Sequence, residues 1–342
     1  MTNEPCSAAP TCAVYYVTDE LFALPTLVSA CAVRRWIAPA RADIRIVAID
    51  IPAERFEALA EFLAPLNIAL DSMDSRVFSN FDLTKFNKTH VPRATLGRFF
   101  MLDASPAQYD HIVYIDGDTW INADPGPLVE FRPPDGFLGA VEGPTSYYRH
   151  DISAHGRETR RYLDGIGLSS GDGYFNAGVL CASAQTWRTV AAEAFAFFRD
   201  NTERCKYHDE SALNAVAAKR RITLSHRWNF MSPYRDWGVE TALSPAIYHF
   251  TGAPKPWVGA FAPWQELYQP YRDALAPFSA LGLPLSAPTA DDVRQGEINV
   301  RNEVKLRSVL AWRKFNRQRA FSRVENSASV RSAGHDTLRA SA

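Results

Sequence analysis

Cysteine is scarce in this chain and badly spaced for cross-linking. There are five, Cys6, Cys12, Cys31, Cys181 and Cys205, an odd number with no C-x-x-C pair. That leaves no basis for a disulfide framework or a structural zinc site, and it points to free thiols in a reducing compartment. The opening residues, MTNEPCSAAPT, have neither a basic n-region nor an apolar core of signal length. No stretch approaches the ~18 to 20 apolar residues that span a bilayer. The expectation is a cytoplasmic protein, at most peripheral on the inner face of the cytoplasmic membrane. Charge of one sign is missing too: 37 Lys and Arg stand against 38 Asp and Glu, a net charge of -1. No global basic surface invites nucleic acid. Internal repeats and low-complexity tracts are absent.

What is present is a globular composition, 46% hydrophobic and 22% charged, on a length that holds one large α/β domain or two modest ones. The run Ala13 to Asp19 is short, apolar and ends polar, as a buried strand does. Residues 21–36 take helical spacing, with Pro25 delaying the start. Asp43 to Asp50 predicts a second strand, 53–65 a second helix, and Ile68 to Leu70 a third short strand. Such alternation predicts a parallel sheet with helices on its faces. Val91 to Asp103 predicts a helix opening after Pro92. Ile112 to Ile115 predicts a strand apolar on both faces, and Phe137 to Val141 another. Residues 143–173, rich in Gly, Ser, Tyr and charge, read as an irregular excursion with a short helix around Arg157 to Leu163. Long loops of that kind sit at sites. Gly173 to Ser183 returns to strand, 186–201 and 208–219 are amphipathic helices, and Ile247 to Phe250 is a late strand. By composition, 1–12 is a disordered N-terminus and 13–275 the main domain. Residues 276–300, with Pro284, Pro288 and Gly296, read as a linker, and 301–342 as a basic tail.

The chemistry-bearing residues lie where strands meet loops. Asp116 and Asp118 follow a buried strand, and open α/β sheets bind ligands at the carboxyl ends of their strands. Two carboxylates there can chelate Mg²⁺ or Mn²⁺, whose preferred donors are oxygens. The plainer reading is an Asp-Gly turn between solvated charges. His249 ends a strand, and the loop Thr251 to Pro254 leaves backbone N–H groups free beside Lys255, a plausible phosphate cradle. A lone strand histidine is usually structural, but here the imidazole could complete an Asp, Asp, His metal set. Asp209 and Glu210 open a helix, where negative charge suits the helix start. Either could instead face a sugar. Asn176 is a polar residue within a strand and so needs a partner. Arg98, among Leu96, Phe99 and Phe100, either snorkels or reaches a phosphate as a forked donor.

Taken together, VYYVTD at Val14 to Asp19, TLGRFF at Thr95 to Phe100, YIDGDTW at Tyr114 to Trp120, YFNAGVL, HDESALN, RWNF and HFTGAPKPW resemble, in order, the family 8 glycosyltransferases. These are retaining, nucleotide-sugar-dependent enzymes that include bacterial galactosyl- and glucosyltransferases of lipopolysaccharide cores. The resemblance implies an α/β GT-A fold, a mixed, mainly parallel sheet flanked by helices, over the main domain. It implies a UDP-sugar donor, Mn²⁺ or Mg²⁺, and a glycan or glycolipid acceptor. By position, Asp116, Asp118 and His249 would be the metal ligands. Lys255 and Gly252 would contact the diphosphate. Thr18, Asp19, Arg98 and Gly117 would contact the donor nucleotide or phosphate. Asn176, Asp209 and Glu142 would hold the transferred sugar, and Glu210, with Asp209, Lys255 and Asn176, would be catalytic. The chain departs from the family at Thr18, where a small residue is usual, at Ser211, where an acid is common, and at Glu210, where relatives often carry Gln. In its first turn Glu210 is expected to lose basicity to the helix N–H groups.

A metal-dependent nucleotidyltransferase or sugar-phosphate hydrolase would also use paired Asp and a lysine, but neither explains the late histidine-glycine-lysine loop. A nucleotide-binding module without catalysis is the remaining class. Near the C-terminus, Lys305, Arg307, Arg313, Lys314, Arg317, Arg319 and Arg323 alternate with Leu306, Val309, Leu310, Trp312, Phe315 and Phe321, with no acid between. The pattern predicts an amphipathic helix that touches anionic lipid, each basic residue adding up to ~1 kcal/mol.

Overall fold

The structure, a computed structural model, describes residues 10–78, 94–308 and 310–331. Its strands are β1 Cys12–Thr18, β2 Asp43–Ile49, β3 Ile68–Met73, β4 His111–Ile115, β5 Thr119–Ile121, β6 Leu138–Glu142, β7 Phe175–Ser183, β8 Arg221–Leu224, β9 Phe230–Met231 and β10 Ile247–His249. Seven of them form one sheet in the order β3-β2-β1-β4-β7-β6-β8. β1 to β4 are parallel, β7 is antiparallel between β4 and β6, and β6 runs parallel to β8. This is the mixed, mainly parallel α/β sheet that the family resemblance implied; the strand–helix alternation accounts for its parallel part, β1 to β4.

Every residue of β1 and β4 is buried, and the pleat deals successive side chains to opposite faces. Val14 and Tyr16 enter one core, under helix Ala23–Trp36. Ala13, Tyr15 and Val17 enter the other, under helices Ala184–Asp200 and His208–Ala217. Ser183 fixes the start of Ala184–Asp200 by accepting the Thr186 N–H at 3.1 Å, a cap worth about 1 kcal/mol.

A second sheet, in the order β5-β10-β9, determines where the site lies. β4 delivers the chain to Asp116, and β5 begins three residues later. β10 runs antiparallel to β5, with His249 paired to Thr119. The Asp116–Asp118 turn is therefore the hinge between two sheets, and the end of β10 is folded back beside it. β5, β8 and β9 hold three, four and two residues, too few for alternation to reveal them in the sequence. The 143–173 excursion carries two helices, Pro144–Tyr148 and Ala154–Gly165.

Three expected boundaries change. Cys12, assigned to the N-terminus, already pairs with His111 in the sheet. Residues 276–300 are not a linker throughout. Ala276–Leu281 is a 3-10 turn, and Ala290–Arg307 is an 18-residue helix opened by a reciprocal capping box between Thr289 and Asp292. Gly296 sits in that helix because Phe261 packs on it, where a Cβ would stand 3.3 Å from the ring. The described part of the expected basic tail is largely helical, in the end of Ala290–Arg307 and in Ala311–Ser327. One helix ends at Arg307 and the next begins at Ala311, so no single amphipathic helix spans 305–323. The C-terminal helix Ala311–Ser327 then buries Phe321 against the body. Val91 to Arg93, Val309, residues 1–9 and residues 332–342 lie outside the described residues, as does the Arg307 side chain. Among the described residues no helix is long and apolar enough to cross a membrane.

Candidate functional site

The two sheets bring Asp116, Asp118 and His249 together, with one ligand atom of each within 4.8 Å of the others. His249 Nε2 lies 3.2 Å from Asp118 Oδ1 and 3.7 Å from Asp116 Oδ2. The opposite atom of each group is anchored. Asp116 Oδ1 accepts from the Tyr114 hydroxyl at 2.6 Å and Arg98 Nη2 at 2.9 Å. Asp118 Oδ2 accepts from Lys255 Nζ at 2.6 Å. His249 Nδ1 lies 2.8 Å from Asn229 Oδ1. Partners behind the ligands are what fix ligand orientation in metal centres. Two carboxylate oxygens and an imidazole nitrogen, facing one another, suit a hard or borderline divalent cation.

The tautomer of His249 follows from an unambiguous donor. The backbone N–H of Gly178 donates to Asn176 Oδ1 at 2.9 Å, so that atom is the amide oxygen. The Asn229 atom 2.8 Å from it must then be the donor Nδ2, which turns Asn229 Oδ1 toward His249. An oxygen there requires a proton on His249 Nδ1 and leaves the Nε2 lone pair facing the carboxylates. Gly178 also makes room for the ring, since a Cβ there would stand 2.3 Å from His249 Cε1. It lies where β7 shifts register against β6: Ala140 faces Leu180, but Val141 faces Asn176. Bulges of this kind re-aim side chains next to sites. Asn229, Gly178 and Tyr114 were not singled out from the sequence. Asn229 carried a usable signal, a polar residue between Trp228 and Phe230 that must find a partner if buried, and it is completely buried.

A second layer is acidic, with Asp209 buried and Glu210 half-buried. Arg98 is buried, its ring of donors spent on Asp116, on Asp209 at 3.0 Å and on the Ala177 carbonyl at 2.8 Å, and it stacks over Tyr114. Burial works against its charge, but Asp116 and Asp209 outweigh that and hold its pKa above the usual arginine range. Arg98 is thus the brace between Asp116 and Asp209, and it does not snorkel. Burial pushes the Asp209 carboxyl up to about 6, with Arg98 opposing. Glu210 Oε2 accepts from Asn176 Nδ2 at 2.6 Å and from the Ala177 N–H at 3.2 Å. Burial nevertheless pushes Glu210 up to about 7. This differs from the loss of basicity expected at the helix start, because desolvation of the carboxylate outweighs the Tyr174 side chain, the Ala177 N–H and Arg98, which favour its charge. Burial would raise Asp118 as well, but Lys255 and His249 hold it well below the usual range. Four carboxylates, Asp116, Asp118, Asp209 and Glu210, face two permanent cations, Arg98 and Lys255. When all are ionised, the excess equals the charge of one divalent ion.

The remaining expected residues are placed less uniformly. Gly117 packs on helix Ala23–Trp36, where a Cβ would stand 2.1 Å from Thr26 Oγ1. Thr18 is buried and accepts from Thr26 at 3.1 Å, so its hydroxyl faces the protein. Asp19 accepts the Phe22 N–H at 3.0 Å at the mouth of β1. Gly252 has φ +76, a backbone that only glycine adopts without strain. It turns the loop so that Lys255 reaches Asp118 and the Phe250 carbonyl. Glu142 is buried in an ion pair with Arg221 and accepts the Tyr174 N–H at 3.3 Å. Both its oxygens are thereby committed inside the protein, which differs from the expected contact with a sugar.

A family model described as glycosyl transferase family 8 matches residues 13–260. General stress protein A of Bacillus subtilis (strain 168) is 23% identical over 234 residues, 63% of this chain and 77% of that protein. The galactosyltransferase LgtC, in complex with donor and acceptor sugar analogs, superposes with a TM-score of 0.64 at 19% identity, over 82% of this chain and 98% of LgtC. An active-site variant of LgtC superposes with a TM-score of 0.63 at 21% identity, over 78% and 95% of the two chains.

Proposed function

Because this chain belongs to glycosyl transferase family 8, we propose that it moves a hexose, galactose or glucose, from a UDP-sugar to a glycan or glycolipid hydroxyl with retention at the anomeric carbon. Asp116, Asp118 and His249 would hold Mn²⁺ or Mg²⁺. The observation that carries the reading is the convergence of three ligand atoms, each anchored from behind. A cation held there would neutralise the diphosphate and stabilise it as a leaving group. Lys255 adds charge that matters most as the glycosidic phosphate bond breaks. Asn176 and Asp209 stand at the strand and helix ends that would face the sugar.

For retention, the same-face route fits Glu210 better than a covalent one. Its Oε2 is held by two donors, and its charge can stabilise an oxocarbenium ion while the donor phosphate accepts the proton of the acceptor. Peripheral contact with the inner face of an anionic membrane remains part of the reading. Trp312 and Phe315 stand 48% and 57% exposed beside the basic residues of the C-terminal helix. A screen of UDP-hexoses for slow UDP release, with Mn²⁺ present and then chelated, tests the proposal. Mn²⁺-dependent release from UDP-galactose or UDP-glucose supports it. Release that persists undiminished in chelator, or none from any UDP-hexose, rejects it.

A further inference from the structure

The C-terminal helix reaches the metal cluster through three residues in series. One helical turn after buried Phe321, Glu325 is gripped by the Ser225–Trp228 turn. Its Oε1 accepts the Ser225 hydroxyl at 2.6 Å, and its Oε2 accepts the His226 N–H at 2.9 Å and lies 2.8 Å from His226 Nδ1. The other ring nitrogen of His226 lies 2.8 Å from the Tyr147 hydroxyl, and Phe321 stacks on that ring with centroids 4.1 Å apart. Beyond the helix, the chain lies along the same turn. Ser329 donates to the Thr223 carbonyl at 2.8 Å, Ser225 donates to Ser329 at 3.0 Å, and Trp228 Nε1 donates to the Val330 carbonyl at 2.6 Å. The turn ends on Asn229, whose backbone N–H donates to the His226 carbonyl at 3.2 Å.

We infer that Glu325 is a positioning residue for the metal site: by clamping the 225–229 turn it sets Asn229, and Asn229 sets the tautomer and angle of His249. The carboxylate satisfies three donors at once, two of them on the turn's backbone and hydroxyl. That rigidity is what a single side chain needs if it is to orient two others. Asn229 then makes one bond to the ligand His249 and one to Asn176, so a rotation of the turn is felt on the metal side and the sugar side together. Partners behind a metal ligand change affinity by roughly 10-fold to 100-fold when removed. Acting one residue further back, Glu325 is expected at or below the low end. The inference rests on the metal reading above for its affinity arm, and on the hydrogen bonds alone for its tautomer arm.

The test uses the full chain with Glu325→Ala, Glu325→Gln and Ser225→Ala. Glutamine can accept from His226 with its oxygen and donate to Ser225 with its amide, so it separates geometry from charge. Mn²⁺ affinity is read by electron paramagnetic resonance. The His249 tautomer is read in metal-free protein by ¹⁵N-histidine NMR, and KM and kcat for the donor are taken separately. In the wild type, His249 is expected with the proton on Nδ1. Glu325→Ala should weaken Mn²⁺ about 5-fold to 10-fold, mix the tautomers and lower kcat more than it raises KM. Glu325→Gln should restore all three, and Ser225→Ala should give a smaller change in the same direction. A folded Glu325→Ala protein with a single Nδ1–H tautomer and unchanged Mn²⁺ affinity overturns the inference. If Glu325→Ala does not fold, an unchanged Ser225→Ala protein overturns it instead. A wild type that binds no Mn²⁺ rejects the metal reading, while the tautomer spectra still decide for or against Glu325.

Discussion

Replacing Glu210 by glutamine should stabilise the metal-free protein, by an amount that grows as pH rises from about 4.5 and levels off above about 7. The carboxyl rises from 4.5 to about 7 on folding because burial disfavours its charge. At about 1.4 kcal/mol per pKa unit, that rise amounts to roughly 3 kcal/mol at most. The sign follows from proton binding. The folded state holds the proton more tightly, so the stability contributed by Glu210 is complete below about 4.5 and is lost as pH rises through about 7. Glutamine carries no charge to bury, and its amide oxygen can still accept from Asn176 Nδ2 and the Ala177 N–H, the bonds Glu210 makes at 2.6 and 3.2 Å. At pH 8.5 the variant should be more stable by about 2 kcal/mol, a Tm gain of about 3 °C for a chain of this size. At pH 5 the gain should fall below about 1 kcal/mol. Differential scanning fluorimetry in chelator at both values measures it. A gain equal at the two pH values, or a loss at pH 8.5, would refute the desolvation argument. The same variant bears on chemistry, since an essential nucleophile could not tolerate the change. Most of its turnover should survive with a retained product, and a glycosyl adduct mapped to Glu210 by mass spectrometry would reverse the mechanistic preference.

Two further outcomes are expected. Gly178→Ala places a methyl group 2.3 Å from His249 Cε1, so the ring must move; Mn²⁺ affinity should fall at least 10-fold with little change in circular dichroism, and unaltered affinity would show that β7 yields instead. Trp312→Glu with Phe315→Glu should abolish flotation with anionic vesicles while leaving UDP-sugar hydrolysis intact, because both side chains are exposed; flotation that persists removes this surface from the membrane contact.

The parts of the fold legible in the sequence were those where burial is one-dimensional. β1, β2 and β4 are apolar runs, and their ends mark Asp19 and Asp116 without reference to anything distant. Asp118, His249 and Lys255 were legible as residue types at strand ends, but what joins them, the pairing of β10 with β5, involves strands of three residues each. Asn229 and Glu325 were hidden for a different reason. A buried polar side chain is explained only by its partners, and those of Asn229 lie 20 and 53 residues away, at His249 and Asn176. Glu325 sits just beyond a basic stretch that suggested an amphipathic helix facing anionic lipid. Its partners, Ser225 and His226, lie about one hundred residues upstream, and local charge patterning does not register such a clamp. The Thr289-x-x-Asp292 capping box was readable and marks the helix that Pro284, Pro288 and Gly296 concealed.

Mn²⁺ binding followed by electron paramagnetic resonance tests the central claim most directly. The wild type should take up one Mn²⁺ per chain with UDP present, and Asp118→Ala and His249→Ala should each lose it while keeping their fold. Wild-type stoichiometry retained in both variants would contradict the assignment of Asp116, Asp118 and His249 as the metal site.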